Sequence, residues 1–73
     1  MNKYWIEYGT RNFEDDYTTP VGVSTVNAYD FEGAIDRFLE NNDDYGFVAI
    51  RIARAHKDGL RAARWQAIAS GYY

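Results

Sequence analysis

Along residues 30–39 the apolar side chains Phe31, Ala34, Ile35, Phe38 and Leu39 recur at steps of three and four, which predicts an amphipathic helix with one stripe for burial. Asp30 is suited to cap its N-terminus, Tyr29 and Ala34 hold the positions of a hydrophobic staple, and Glu32 and Asp36 favour the positive end of the helix dipole. The outward positions Glu32, Asp36, Arg37 and Glu40 are charged, and the polar run 41–44 before Tyr45 and Gly46 ends the helix. Gly33 in the first turn costs roughly 1 kcal/mol of helix propensity against alanine, so a close contact or a local backbone need is expected there.

Two stretches alternate with a period of two. Residues 3–8 put Tyr4, Ile6 and Tyr8 on one side and Lys3, Trp5 and Glu7 on the other, a half-buried first strand. Residues 47–54 set Val48, Ile50 and Ile52 against Phe47, Ala49, Arg51 and Ala53, another strand. Between the first strand and the helix, residues 21–28 are β-branched and free of charge. Val21 and Val23 share one phase and Val26 and Ala28 the other, which predicts a strand with a bulge near Gly22. Residues 9–20, with the acidic group Glu14-Asp15-Asp16 and a closing Pro20, read as a long, mobile hairpin loop.

A strand-strand-helix-strand order has one economical solution. The fold class expected is α+β: a three-stranded antiparallel sheet of order 2-1-3 (ββαβ) with one helix on one face, spanning residues 1–54. Phe31, Ile35, Phe38 and Leu39 would pack on Tyr4, Ile6, Tyr8, Val48, Ile50 and Ile52. The face bearing Trp5, Phe47 and Arg51 is left open unless the C-terminal segment covers it. In that basic segment, residues 55–73, a turn is expected at Lys57-Asp58-Gly59. Residues 60–69 suit either a short helix or a mobile tail.

Composition narrows the class. Seventy-three residues make one small domain, and with no cysteine and one histidine, His56, neither disulfides nor a metal can staple it, so the thirteen aromatics must supply its packing. No apolar run approaches the roughly 18 residues of a membrane span, and no signal-peptide core follows Met1-Asn2-Lys3, so a cytosolic protein is expected. The net charge of −3 conceals a division: residues 1–50 carry −7 and residues 51–73 carry +4. Such asymmetry favours a macromolecular partner over a small neutral ligand, although the two parts can also neutralise each other.

Enzymatic chemistry finds no support: His56 has no nucleophile context, and neither a phosphate loop nor a metal-ligand spacing is present, so no cofactor or metal is expected. Glu14-Asp15-Asp16 reads as a solvated loop. Glu32, Asp36, Glu40 and Asp43 descend the helix with carboxylates about 6 Å apart, as the phosphates of a nucleic-acid strand do. The simpler reading is the outer face of an amphipathic helix. The bases Arg51, Arg54, Lys57, Arg61 and Arg64, interleaved with His56 and Trp65, have the pattern of a phosphate-contacting segment, with Lys57, Arg61, Arg64 and Trp65 as candidate nucleic-acid contacts.

Residues 28–52 resemble the small inhibitors with which tailed phages bind host RNA polymerase. The resemblance rests on Lys3-Tyr4-Trp5 opening the first strand, Ala28 before the helix, Glu32, Ala34-Ile35-Asp36 within it, then Gly46-Phe47, and Arg51-Ile52 on the last strand. It covers about half of the chain. It implies a noncatalytic, phage-encoded regulator that binds host RNA polymerase in the bacterial cytoplasm, as a monomer, through Arg51 and Arg54 with Trp5 and Phe47 beside them. Arg51 falls on the first arginine of the family's last strand, whereas the second falls on Ala53, with Arg54 one position late and on the opposite face. In size and class the chain is also similar to the transcription regulators of Xanthomonas phages, which act on initiation and on termination; that would place the basic segment near nascent RNA. The alternatives are a counter-defence protein, such as an anti-CRISPR or nucleic-acid mimic acting through the acidic helix, and a small RNA-binding module.

Overall fold

The alternation at the start of the chain becomes a long strand, β1 (Asn2–Asn12), whose two neighbours both run antiparallel to it. A computed structural model describes residues 1–12, 17–41 and 47–68. Along the chain follow β2 (Tyr17–Ala28), α1 (Phe31–Asn41), β3 (Phe47–Arg54) and β4 (Gln66–Ala67). The sheet is antiparallel with order β2-β1-β3-β4. The α+β class and the central place of the first strand are as expected. Among the described residues the sheet has four strands rather than three, because β4 adds to the outer edge of β3, with Arg51 opposite Ala67 and Ile52 opposite Gln66.

The hairpin is longer than the polar composition of residues 9–20 suggests. Gly9 pairs with Pro20 and the ladder continues to Asn12 opposite Tyr17. The expected long loop is therefore paired strand at both ends, and Phe13 and Glu14-Asp15-Asp16 lie outside the described residues. A polar segment can extend a ladder that has already begun, since the backbone bonds do not depend on the side chain. The bulge near Gly22 is present one residue earlier: Tyr8 faces Gly22 and Gly9 faces Pro20, leaving Val21 as the extra residue. Gly22 has a packing reason, because a Cβ there would lie 3.0 Å from the Tyr8 hydroxyl.

A second bulge changes the phase of β3. Glu7 pairs with Arg51 but Tyr8 with Ala49, so Ile50 is the extra residue. The expected inward set Val48, Ile50 and Ile52 is corrected to Ala49 and Ile52, which share a core with Tyr4, Ile6, Val26 and Ala28. Phe47, expected on the open face, packs instead against Tyr8 at a ring separation of 4.9 Å and joins the core's rim. The Ile50 carbonyl accepts the Ile68 N–H at 3.0 Å, tying Ile68 to β3.

The helix covers one face with Ala34, Ile35 and Phe38 buried, and Phe31 and Leu39 at the margin. Phe38 and Ile6 are wholly buried, each contributing about 1.5–3 kcal/mol. Aromatic pairs string the core together: Tyr4 on Phe31 (5.1 Å), Tyr8 on Phe38 (5.4 Å) and Tyr8 on Phe47. Asp30 caps the helix as its sequence position predicts, its Oδ1 accepting the Gly33 N–H at 2.7 Å. The same contact accounts for Gly33, where a Cβ would stand 3.0 Å from that oxygen. The staple is not formed: Tyr29 is 80% exposed.

Residues 55–68 contain turns and β4 rather than a helix. The expected turn at residues 57–59 is closed by the Gly59 N–H on the His56 carbonyl (3.0 Å), with Gly59 at φ 96°, a conformation that favours glycine. Beyond it the chain returns to the edge of β3 and buries Ile68 in the main core. The described part of the basic segment is thus built into the sheet, not appended to it. Among the described residues no helix is long and apolar enough to cross a membrane.

Candidate interaction surface around Arg51

The sheet face turned away from α1 is set by register. In antiparallel strands, residues opposite one another point to the same side, so Val23, Glu7, Arg51 and Ala67 form one transverse row, and Thr25, Trp5 and Ala53 the next. Arg51 and Glu7 meet in a forked pair: Arg51 Nε donates to Glu7 Oε1 at 3.0 Å and Nη2 to Oε2 at 3.2 Å. The Trp65 ring lies over the same guanidinium, 4.4 Å from its carbon to the ring centre. Trp65 is itself held by its indole N–H, which donates to the Leu60 carbonyl at 3.0 Å.

The result is a planar cation fixed on one edge by a carboxylate and on one face by an indole. Arg51 and Glu7 side chains are 43% and 20% exposed, so water screens the pair and its contribution to stability stays at about 1 kcal/mol or below. Its larger effect is on orientation, since the fork and the stacked ring remove most of the rotamer freedom of a long side chain. Around it runs a groove of about 310 Å³, lined also by Val23, Leu60 and Arg61. Val23 and Leu60 are 38% and 47% exposed, an apolar rim beside the charge.

Of the polymerase-binding set expected from sequence, Arg51 and Trp5 share this face. Arg54 and Phe47 do not: Arg54 stands opposite Tyr4 on the helix side and donates to Asn2 Oδ1 at 2.8 Å, and Phe47 is in the packing against Tyr8. The candidate nucleic-acid contacts are dispersed as well. Trp65 and Arg61 join the Arg51 groove, Arg64 lines a separate cleft with Arg54, and Lys57 is exposed on the turn. On the helix Glu32, Asp36 and Glu40 are exposed and make no ion pair among the described residues, while Asp43 lies outside those residues.

The residues that sequence reasoning did not assign to a site are Glu7, Val23 and Leu60. Glu7 was legible as a face-mate of Trp5, but its pairing with Arg51 depends on a register that the Ile50 bulge sets. Nothing in the spacing of Leu60 signals that its carbonyl anchors Trp65. Comparison of the chain with family models, curated proteins and solved structures finds no match.

Proposed function

We propose that this chain is a noncatalytic, phage-encoded transcription regulator that binds host RNA polymerase through the sheet face bearing Arg51, Trp5 and Trp65, and so inhibits initiation or alters termination. The observation that carries the reading is the orienting of Arg51 by Glu7 and Trp65 in an open groove. Arginine and tryptophan surrounded by apolar contacts are the composition of interface hot spots. Because Glu7 takes the Nε N–H and one N–H of Nη2, the two N–H groups of Nη1 and the second of Nη2 are left for an acceptor on a partner. A side chain already held in place loses less entropy on binding. Arg51 is also the position that the sequence likeness to phage polymerase inhibitors singles out, whereas Arg54, on the other face, belongs to a different surface. Localisation in the host bacterial cytoplasm follows from this reading.

The test is retention of RNA polymerase by the immobilised full-length protein from lysates of candidate bacterial hosts. Arg51→Gln removes the charge without setting a second carboxylate beside Glu7, and Arg37→Gln, on the exposed side of α1, is the control. Loss of retention in the first variant and not the second, with amide dispersion unchanged in both, supports the reading. Absence of polymerase subunits at low salt refutes it. A second reading keeps its own observation: Glu32, Asp36 and Glu40 form an exposed, unneutralised acidic row, as a nucleic-acid mimic requires. Charge reversal at those three positions would abolish activity in a mimic, such as an anti-CRISPR, and leave polymerase retention unchanged.

A further inference from the structure

On the helix side of the sheet, where the end of β3 meets the start of α1 and the return to β4, lies a cleft of about 460 Å³. Phe31, Arg54, His56, Arg64 and Gln66 line it, and two small residues, Ala55 and Ala62, complete the wall and leave the space open. Among the described residues no carboxylate lines it. Arg54 stands at the last position of β3, and Arg64 lies on the connection two residues before β4. Arg54 engages only the neutral amide of Asn2, and Arg64 makes no hydrogen bond or ion pair among the described residues. In a chain with more acids than bases, two unneutralised arginines on one cleft contrast with Arg51, which Glu7 neutralises.

His56 adds a donor of defined tautomer. Its Nδ1 accepts the Asp58 backbone N–H at 3.0 Å, so in the neutral ring the proton is on Nε2. The Asp58 carboxylate stands 3.7 Å from the same Nδ1, on the side away from Nε2. Gln66 contributes an amide that both donates and accepts. The remaining wall is aromatic: the Phe31 ring is seated against Tyr4, and its free part lines the cleft. Guanidinium pairs recognise phosphate oxygens, an aromatic face accepts a base by stacking, and a mixed donor-acceptor amide can meet a base edge. The volume falls in the range of pockets for small organic ligands.

We infer that this cleft binds a nucleotide, its phosphate against Arg54, Arg64 and His56 and its base on Phe31. The nucleotide is either free or one unit of a single strand, and the chemistry of recognition is the same. The inference is independent of the polymerase reading, because it concerns the isolated chain and a surface on the other side of the sheet from Arg51. The experiment is titration of the ¹⁵N-labelled full-length protein at low salt with AMP, with an eight-nucleotide oligouridylate and with inorganic phosphate. The amides of Ala55, His56, Arg64 and Gln66 are expected to move with AMP and with the oligonucleotide. Arg54→Gln combined with Arg64→Gln is expected to weaken both at least tenfold, with Arg37→Gln unchanged. Phe31→Leu is expected to weaken AMP severalfold while leaving inorganic phosphate unaffected. Affinity for the oligonucleotide well above that for AMP assigns the site to a strand, and comparable affinity assigns it to free nucleotide. Absence of shifts at those amides with millimolar probe overturns the inference. So does inorganic phosphate binding as well as AMP with no effect of Phe31→Leu, or a loss in Arg37→Gln equal to that in the double variant.

Discussion

Ile68→Ala measures how firmly the C-terminal segment belongs to the fold. Ile68 is 7% exposed, packs in the main core and donates its N–H to the Ile50 carbonyl, whereas Leu60, in the same segment, is 47% exposed. Substitution by alanine removes three carbons in either case. At about 0.8 kcal/mol per buried methylene, Ile68→Ala loses about 2.4 kcal/mol of transfer energy, and an unfilled cavity raises that figure. Because Ile68 follows a two-residue edge strand that can relax inward, the expected loss is about 2–3 kcal/mol. Leu60→Ala should cost about 1 kcal/mol or less, since half of that side chain is already in water. A chain of 73 residues is stable by roughly 4–11 kcal/mol, so the Ile68 change removes a large share of the total. Urea denaturation followed by far-ultraviolet circular dichroism reads it directly. With a slope near 1 kcal/mol per molar urea, the midpoint should fall by about 2–3 M for Ile68→Ala and by about 1 M or less for Leu60→Ala. Equal, small shifts for the two variants would refute the docking of residues 55–68 and restore a separable tail.

Phe38→Ala, at a wholly buried ring in contact with Tyr8, should cost about 3–5 kcal/mol and lower the thermal midpoint sharply; an unchanged midpoint would mean that α1 presents its other face to the sheet. Asp30→Ala should cost about 1 kcal/mol through loss of the cap, and Gly33→Ala alone should fail to give the usual helix gain because its Cβ meets Asp30 Oδ1. In the Asp30→Ala background that obstruction is gone, so Gly33→Ala should stabilise by about 1 kcal/mol; the same effect in both backgrounds would disprove the contact. A double-mutant cycle of Arg51→Met and Trp65→Ala should give a coupling of about 0.5–1 kcal/mol, read by urea denaturation, and additivity would show that the ring does not hold the guanidinium.

Periodicity alone located the helix and its buried face, because Phe31, Ala34, Ile35 and Phe38 can share a side only at 3.6 residues per turn. The Asp30 cap, the alternation of Tyr4, Ile6 and Tyr8, and the central place of β1 were legible for the same reason: each follows from neighbours close in sequence and from the few permitted connections of a ββαβ chain. Position along the chain also separated Arg51 from Arg54, since three residues apart on a strand with no bulge between them means opposite faces. Phe47 was misplaced because the bulge at Ile50 inverts the faces of residues before it, and a bulge is chosen by the partner strand's register, which no local pattern encodes. The extent of the hairpin and the existence of β4 escaped for a related reason, in that polar residues 9–12 and 17–20 and the two residues Gln66 and Ala67 become strand only where an adjacent ladder offers its hydrogen bonds. The groove and the cleft belong wholly to tertiary structure. Arg51 meets Glu7, 44 positions away, because β1 and β3 pair, and Arg54 shares a wall with Arg64 because the chain's return past Gly59 brings residues 64–68 back to the edge of β3. The charge of those arginines was readable in the sequence, but whether each is paired or free was decided by the fold, since the energy of a charge depends on what stands within a few ångströms of it.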